Sequence, residues 1–164
     1  MPDVDETGST LEENARIKAH AIAAATGRPA LADDTGLEVD ALGGAPGVHS
    51  ARYAGEEANP QKNVAKMLAE LAQVPAPRRA RFRTVALISW PDGKELMADG
   101  TVEGEIADSV RGDGGFGYDP IFVPAGGDGR TFAQLTAAEK NAVSHRGRAL
   151  RALAARLAAE EGLA

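Results

Sequence analysis

Two runs of strand-forming residues, Phe82 to Trp90 and Leu96 to Ile106, flank a Pro91-Asp92-Gly93-Lys94 turn. Proline and aspartate favour entry into a tight turn and glycine completes it, so the runs are predicted to pair as an antiparallel hairpin. Helices surround that hairpin in the chain. Ser9 or Thr10 can cap a first helix, with Glu12 and Glu13 at capping-box spacing and an apolar stripe of Leu11, Ala15, Ala19, Ile22 and Ala23 running to about residue 26. Asn59 with Pro60 opens a second, through Val64, Met67, Leu68 and Leu71, which must stop before Pro75. Ile121 to Val123 reads as a short strand, and Leu150, Leu153 and Leu157 give a last helix a core-facing stripe up to Gly162. Alternating helices and strands predict one α/β domain over residues 1–164, and a hairpin among crossover units predicts a mixed sheet.

Composition narrows the chemistry. With 164 residues, 43% of them hydrophobic, the chain is long enough to bury a real core. No run reaches the roughly 18 apolar residues of a membrane span, and the opening MPDVDETG has neither a basic nor an apolar leader region, so a soluble, cytoplasmic protein without a membrane partner is expected. The absence of cysteine excludes disulfides and thiolate catalysis, and leaves oxygen or imidazole as metal ligands. A formal net charge of −6 opposes attraction to a nucleic-acid backbone, while a small anion remains compatible with locally concentrated basic residues.

Five segments carry chemical potential. In Gly112 to Pro120, GDGGFGYDP, glycines allow close backbone approach, Phe116 and Tyr118 offer ring faces, and Asp119 is an acceptor; a purine base suits that set, and so does a tight loop with two core aromatics. Leu31 to Leu37 delivers Asp33, Asp34 and Thr35 into what reads as a turn after a short strand. Only one carboxylate should face the cleft, and an oxygen-only set suits magnesium. Asp3, Asp5 and Glu6 precede the first helix, where carboxylates favour the dipole. The loop from Gly43 to Tyr53 is constrained by glycine and proline, and its Arg52 is either solvated or placed for a phosphate or a neighbouring subunit. In Glu139 to Gly147, Ser144 can cap the last helix, placing His145 and Arg146 against the positive dipole end, a mismatch that a bound anionic or carbonyl-bearing ligand would relieve.

Together DDTGL at 33–37, LGGAPGVHSARYAG at 42–55, GGFGYDPIF at 114–122, EKNAVSHRGRAL at 139–150 and ETGSTLEENARIKA at 6–19 resemble the inosine triphosphatase family of non-standard purine nucleoside triphosphate pyrophosphatases. The resemblance implies an elongated mixed sheet flanked by helices, two lobes around a substrate cleft, and a homodimer that hydrolyses dITP, ITP and XTP to monophosphate and pyrophosphate with Mg2+. It assigns Asp34 as proton acceptor and metal ligand and Glu6 as the second metal carboxylate. Thr35, Phe116, Gly117, Tyr118, Asp119, Lys140, His145 and Arg146 become substrate contacts, with Lys18 as a further phosphate contact. The family normally opens with a strand and a Thr/Ser-x-Asn-x-x-Lys phosphate loop, whereas this sequence begins at MPDVDETG; the expectation is a start placed too late, with a genuinely shortened protein as the alternative. Loss of that clamp makes a nucleotide-binding or dimer-forming module with little turnover the alternative, and a related pyrophosphatase of pyrimidine or modified nucleotides a weaker one.

Overall fold

The structure is a computed structural model that describes residues 5–160. Its elements are α1 Leu11–Thr26, β1 Ala30–Val39, β2 Pro46–Gly47, α2 Pro60–Glu70, β3 Arg79–Ser89, β4 Glu95–Ile106, β5 Phe122–Pro124, α3 Ala137–Val143 and α4 His145–Glu160. Asp3 and the anticipated Gly162 end of the last helix lie outside the described residues.

Local chemistry sets the helix starts. The Thr10 hydroxyl accepts the Glu13 N–H at 3.1 Å, the Glu13 carboxylate accepts the Ser9 N–H at 2.7 Å, and Gly27 ends α1 in the left-handed region at φ 66°. Asn59 caps α2 by accepting the Lys62 N–H at 3.0 Å. Helix α3 is additional to the sequence expectation, although its Thr136–Glu139 capping box is a legible signal. The stripe on α4 also differs from expectation. Ala149 and Leu153 are buried and Leu157 packs with them, while Leu150 is 37% exposed. Residues 149, 153 and 157 recur at i+4 and share a face, from which 150 is rotated by one residue.

The sheet has the order β2-β1-β3-β4-β5. Leu37 lies opposite Gly47 and Ile106 opposite Phe122, both in antiparallel pairs. Between β1 and β3, Thr35 meets Thr84 while Arg81 meets Glu38 and Asp40, so rising number on one strand matches falling number on the other. An antiparallel sheet therefore replaces the mixed one expected. The reason is the Asp40 to Arg78 connection: it contains α2 but returns to the end of β1 it left, acting as a long hairpin and not as a crossover.

The chain gathers into two compact units, whose boundaries at 35/36, 82/83 and 101/102 fall inside β1, β3 and β4. In the unit holding the chain up to Thr35, Arg83–Thr101 and the chain from His145, a small core of Ala86, Leu96, Ala149 and Leu153 is joined by Ile88, Trp90, Ala98 and Leu157. Gly100 is obligatory here: a Cβ would lie 2.3 Å from the Ala149 nitrogen and 2.3 Å from the His145 carbonyl oxygen, so only glycine lets α4 start this close to β4. In the unit of Gly36–Phe82 and Val102–Ser144, Leu37, Val39, Met67, Leu71 and Ile121 surround an aromatic centre. There the rings of Phe82 and Phe122 have centroids 4.6 Å apart and those of Phe122 and Phe132 4.9 Å apart. No helix among the described residues is long and apolar enough to cross a membrane.

Candidate active site

The alternation of β1 separates its two carboxylates as expected. Asp34 turns toward Lys18 of α1, whose ammonium is 3.0 Å from Glu6 Oε1 and 3.6 Å from Asp34 Oδ1 and also donates to the Asp33 carbonyl oxygen. Glu6 and Asp34 are thus gathered around one cation. Asp34 Oδ2 is buried and has no hydrogen-bond partner among the described residues. Burial raises the Asp34 pKa above the ordinary carboxylate value and the neighbouring Glu6 adds to this, against the opposing pull of Lys18 and Asn14. Asn14, itself buried, accepts the Gly8 N–H at 2.7 Å.

Asp33 points the other way and binds Arg146, with Arg146 Nε 2.6 Å from Oδ2. The compensation expected for the cation at the start of α4, for which a bound ligand was the source named, comes in this structure from Asp33. His145 is tied into the same unit by Thr84. Thr84 Oγ1 lies 2.7 Å from His145 Nδ1 and 2.7 Å from the hydroxyl of the exposed Thr35. Sequence reasoning missed Asn14 and Thr84, one an unremarkable helix residue and the other a β-branched residue inside a strand. Asp33 stands in the DDTGL segment with no role of its own there.

The second unit carries the aromatic set. Phe116 is 80% exposed between Gly115 at φ 70° and Gly117 at φ 59°, so a large ring stands in solvent on a loop only glycine can shape. Asp119 is 4% exposed and works as the internal anchor of this loop: its Oδ2 accepts the Phe116 N–H at 3.0 Å and the Lys140 ammonium at 2.5 Å. A Cβ on Gly115 would fall 2.2 Å from that oxygen. Lys140 in turn sits 4.6 Å from the Phe116 ring centroid, a cation on the ring face. None of the residues of α3 is buried, and the helix is held at Glu139 by Arg130, whose Nη2 is 2.5 Å from Oε2.

Tyr118, read as a possible stacking ring, is instead a buried strut whose hydroxyl donates to the Ser50 carbonyl at 2.6 Å. Burial pushes its pKa upward, so it stays a neutral donor. Ser50 ties the 43–53 loop together: its hydroxyl accepts the Leu37 N–H at 2.9 Å and donates to the Gly47 carbonyl at 2.6 Å. Arg52 is largely exposed, 3.9 Å from Glu56. Among the described residues no three His, Asp or Glu side chains converge as a ready metal cage. The Glu6 and Asp34 pair, with an orphaned buried oxygen, still fits a hard divalent cation that completes its shell with water and ligand oxygens.

A five-stranded α/β sheet with a carboxylate pair after the first helix and a glycine-framed aromatic loop defines a class, and comparison with known proteins agrees on which. The model of the Ham1 family matches residues 1–156, and the chain belongs to that family. It is 53% identical over 154 residues to the dITP/XTP pyrophosphatase of Streptomyces coelicolor, covering 93% of this chain and 76% of that protein. To the dITP/XTP pyrophosphatase of Symbiobacterium thermophilum it is 54% identical over 164 residues, covering 98% and 81%. Among solved structures, the Ham1 protein of Staphylococcus aureus superposes with a TM-score of 0.90 at 48% identity, over 97% of this chain and 82% of that one.

Proposed function

We propose that this chain is a nucleoside triphosphate pyrophosphatase that hydrolyses purine triphosphates with a 6-oxo base, dITP, ITP and XTP, to the monophosphate and pyrophosphate with Mg2+, clearing such nucleotides from the pool. The observation that carries this reading is the buried Asp34 oxygen, unpartnered among the described residues, beside Glu6 and Lys18. Relatives at about half identity that bear the name dITP/XTP pyrophosphatase support it.

Glu6 and Asp34 are the residues that would hold Mg2+, which when bound supplies charge neutralisation at phosphate oxygens. Asp34 orients and deprotonates the water that attacks the α-phosphorus, and a pKa raised by burial suits it to that task. Lys18, already a counter-ion in the cluster, supplies positive charge for the phosphates. On the family resemblance, Phe116 stacks the base, while Lys140, His145 and Arg146 provide donors; the 80% exposure of the Phe116 ring supports the first of these. Donors matched to a 6-oxo group are left unpaired by a 6-amino purine, at a cost of about 1–3 kcal/mol. A homodimer is part of the same proposal and rests on the family resemblance; light scattering on the purified chain tests it.

The decisive assay is pyrophosphate release from dITP, XTP, dATP, dTTP and UTP, each with and without Mg2+. The expected result is metal-dependent release from dITP and XTP that disappears in Asp34→Asn with folding retained. Equal turnover of dATP, preference for dTTP or UTP, or near wild-type turnover by Asp34→Asn would each overturn the assignment. Asp34 also carries a stability signature. A carboxyl whose folded pKa is raised favours the fold below its ordinary value of 3.8 and loses that contribution as pH rises through the folded value. Metal-free Asp34→Asn should therefore gain stability relative to wild type between acidic and neutral pH.

A further inference from the structure

Thr84 is fully buried in β3, yet its hydroxyl touches two groups assigned to substrate contact under the reading above, on which this inference rests. Both contacts are 2.7 Å, one to the Thr35 hydroxyl and one to His145 Nδ1. A threonine hydroxyl has one proton and donates once. If Thr84 donates to Nδ1, the ring carries its proton on Nε2, and Thr35 must donate to Thr84. If Nδ1 carries a proton and donates to Thr84, then Thr84 donates to Thr35, and the Thr35 proton is released for another acceptor. The proton position on the imidazole and the direction of the Thr35 hydroxyl are therefore one variable, read out at two places.

We propose that Thr84 is a positioning residue that couples the protonation pattern of His145 to the donor or acceptor role of Thr35. Its burial gives the coupling force, since bulk water does not reach the hydroxyl to replace either bond. The absence of a side chain at Gly100 lets the start of α4 lie close against β4, since a Cβ there would fall 2.3 Å from the His145 carbonyl oxygen. A nucleotide that presents an acceptor to each group draws donors from both ends at once, and both ends donate together when the imidazole carries protons on both nitrogens. Binding of a triphosphate should then favour the arrangement in which Thr84 accepts from His145 and donates to Thr35.

The test uses Thr84→Val, which keeps the shape and removes the hydroxyl, and Thr84→Ser, which keeps the hydroxyl and removes a methyl. The 15N shifts of the His145 ring, assigned by comparison with His145→Gln, report where the protons sit. Thr84→Val should change the His145 pattern, Thr84→Ser should preserve it, and Thr35→Val should change it in the wild-type background but not in the Thr84→Val background. The expected kinetic counterpart is about a tenfold fall in kcat/KM for dITP in Thr84→Val, the size of one lost hydrogen bond, carried mainly in KM and restored by Thr84→Ser. An unchanged ring spectrum in Thr84→Val, a Thr35→Val effect that persists without the Thr84 hydroxyl, or a Thr84→Ser protein as impaired as Thr84→Val would overturn the proposal. A wild-type protein that releases no pyrophosphate would remove the functional reading, while the ring spectra would still decide the role of Thr84.

Discussion

Lys140 is the structural hinge of the aromatic set, and replacing it by alanine gives a quantitative test. Its ammonium is 2.5 Å from Asp119 Oδ2 and 4.6 Å from the Phe116 centroid. Asp119 is 4% exposed, so the variant leaves a carboxylate largely out of water with only the Phe116 N–H retained on that oxygen. A charge-assisted hydrogen bond contributes about 1.5–3 kcal/mol and the cation–ring contact about 0.5–1 kcal/mol, so Lys140→Ala should cost about 2–4 kcal/mol. In a domain of this size each kcal/mol moves Tm by about 2–4 °C, which gives a fall of about 4–16 °C. Thermal unfolding of Lys140→Ala, Asp119→Asn and the double variant closes a cycle. In it, the double variant should be less destabilised than the sum of the singles by about 1.5–3 kcal/mol, because the stranded charge is gone. Additive losses, or a Lys140→Ala Tm within about 2 °C of wild type, would refute the account of Asp119 as a buried anchor neutralised by Lys140.

Phe116→Ala removes a ring that is 80% exposed and its contact with Lys140, so stability should fall by no more than about 1 kcal/mol while purine nucleotide affinity falls by about 1–3 kcal/mol, measured by calorimetry against IMP. Gly100→Ala forces a Cβ to within 2.3 Å of two α4 backbone atoms and should cost about 1–3 kcal/mol in urea unfolding, with loss of activity from a displaced His145. The Glu95 carboxyl is held below its ordinary value of 4.5 by hydrogen bonds from Arg16 and then His20, a contribution present above that value and lost as pH falls through the folded pKa. Wild type should therefore exceed Glu95→Gln in Tm at neutral pH, and the gap should close on acidification below 4.5.

What the sequence determined by itself was local. Capping residues Thr10 and Asn59, the Pro91–Lys94 turn and the period of α1 and α2 act over a few positions, and those elements lie where the pattern predicts. The motifs around Asp34, Phe116 and His145 were likewise legible, because residue order along five segments identifies the family before any contact is known. Strand direction was not, since the Asp40 to Arg78 connection reads the same whether it crosses the sheet or returns to the same end. Nor could chemistry alone divide the aromatic loop into an exposed ring at Phe116, a buried strut at Tyr118 and an anchoring carboxylate at Asp119. Leu150 and Ala149 exchange roles for a similar reason, as the packed face of α4 is chosen by the partner that meets it. Tertiary structure alone brought Asp33 to Arg146, 113 positions apart, and Thr84 to both Thr35 and His145. Those contacts span distances over which no periodicity or capping rule operates, and only the pairing of β1 with β3 and the docking of α4 decide them.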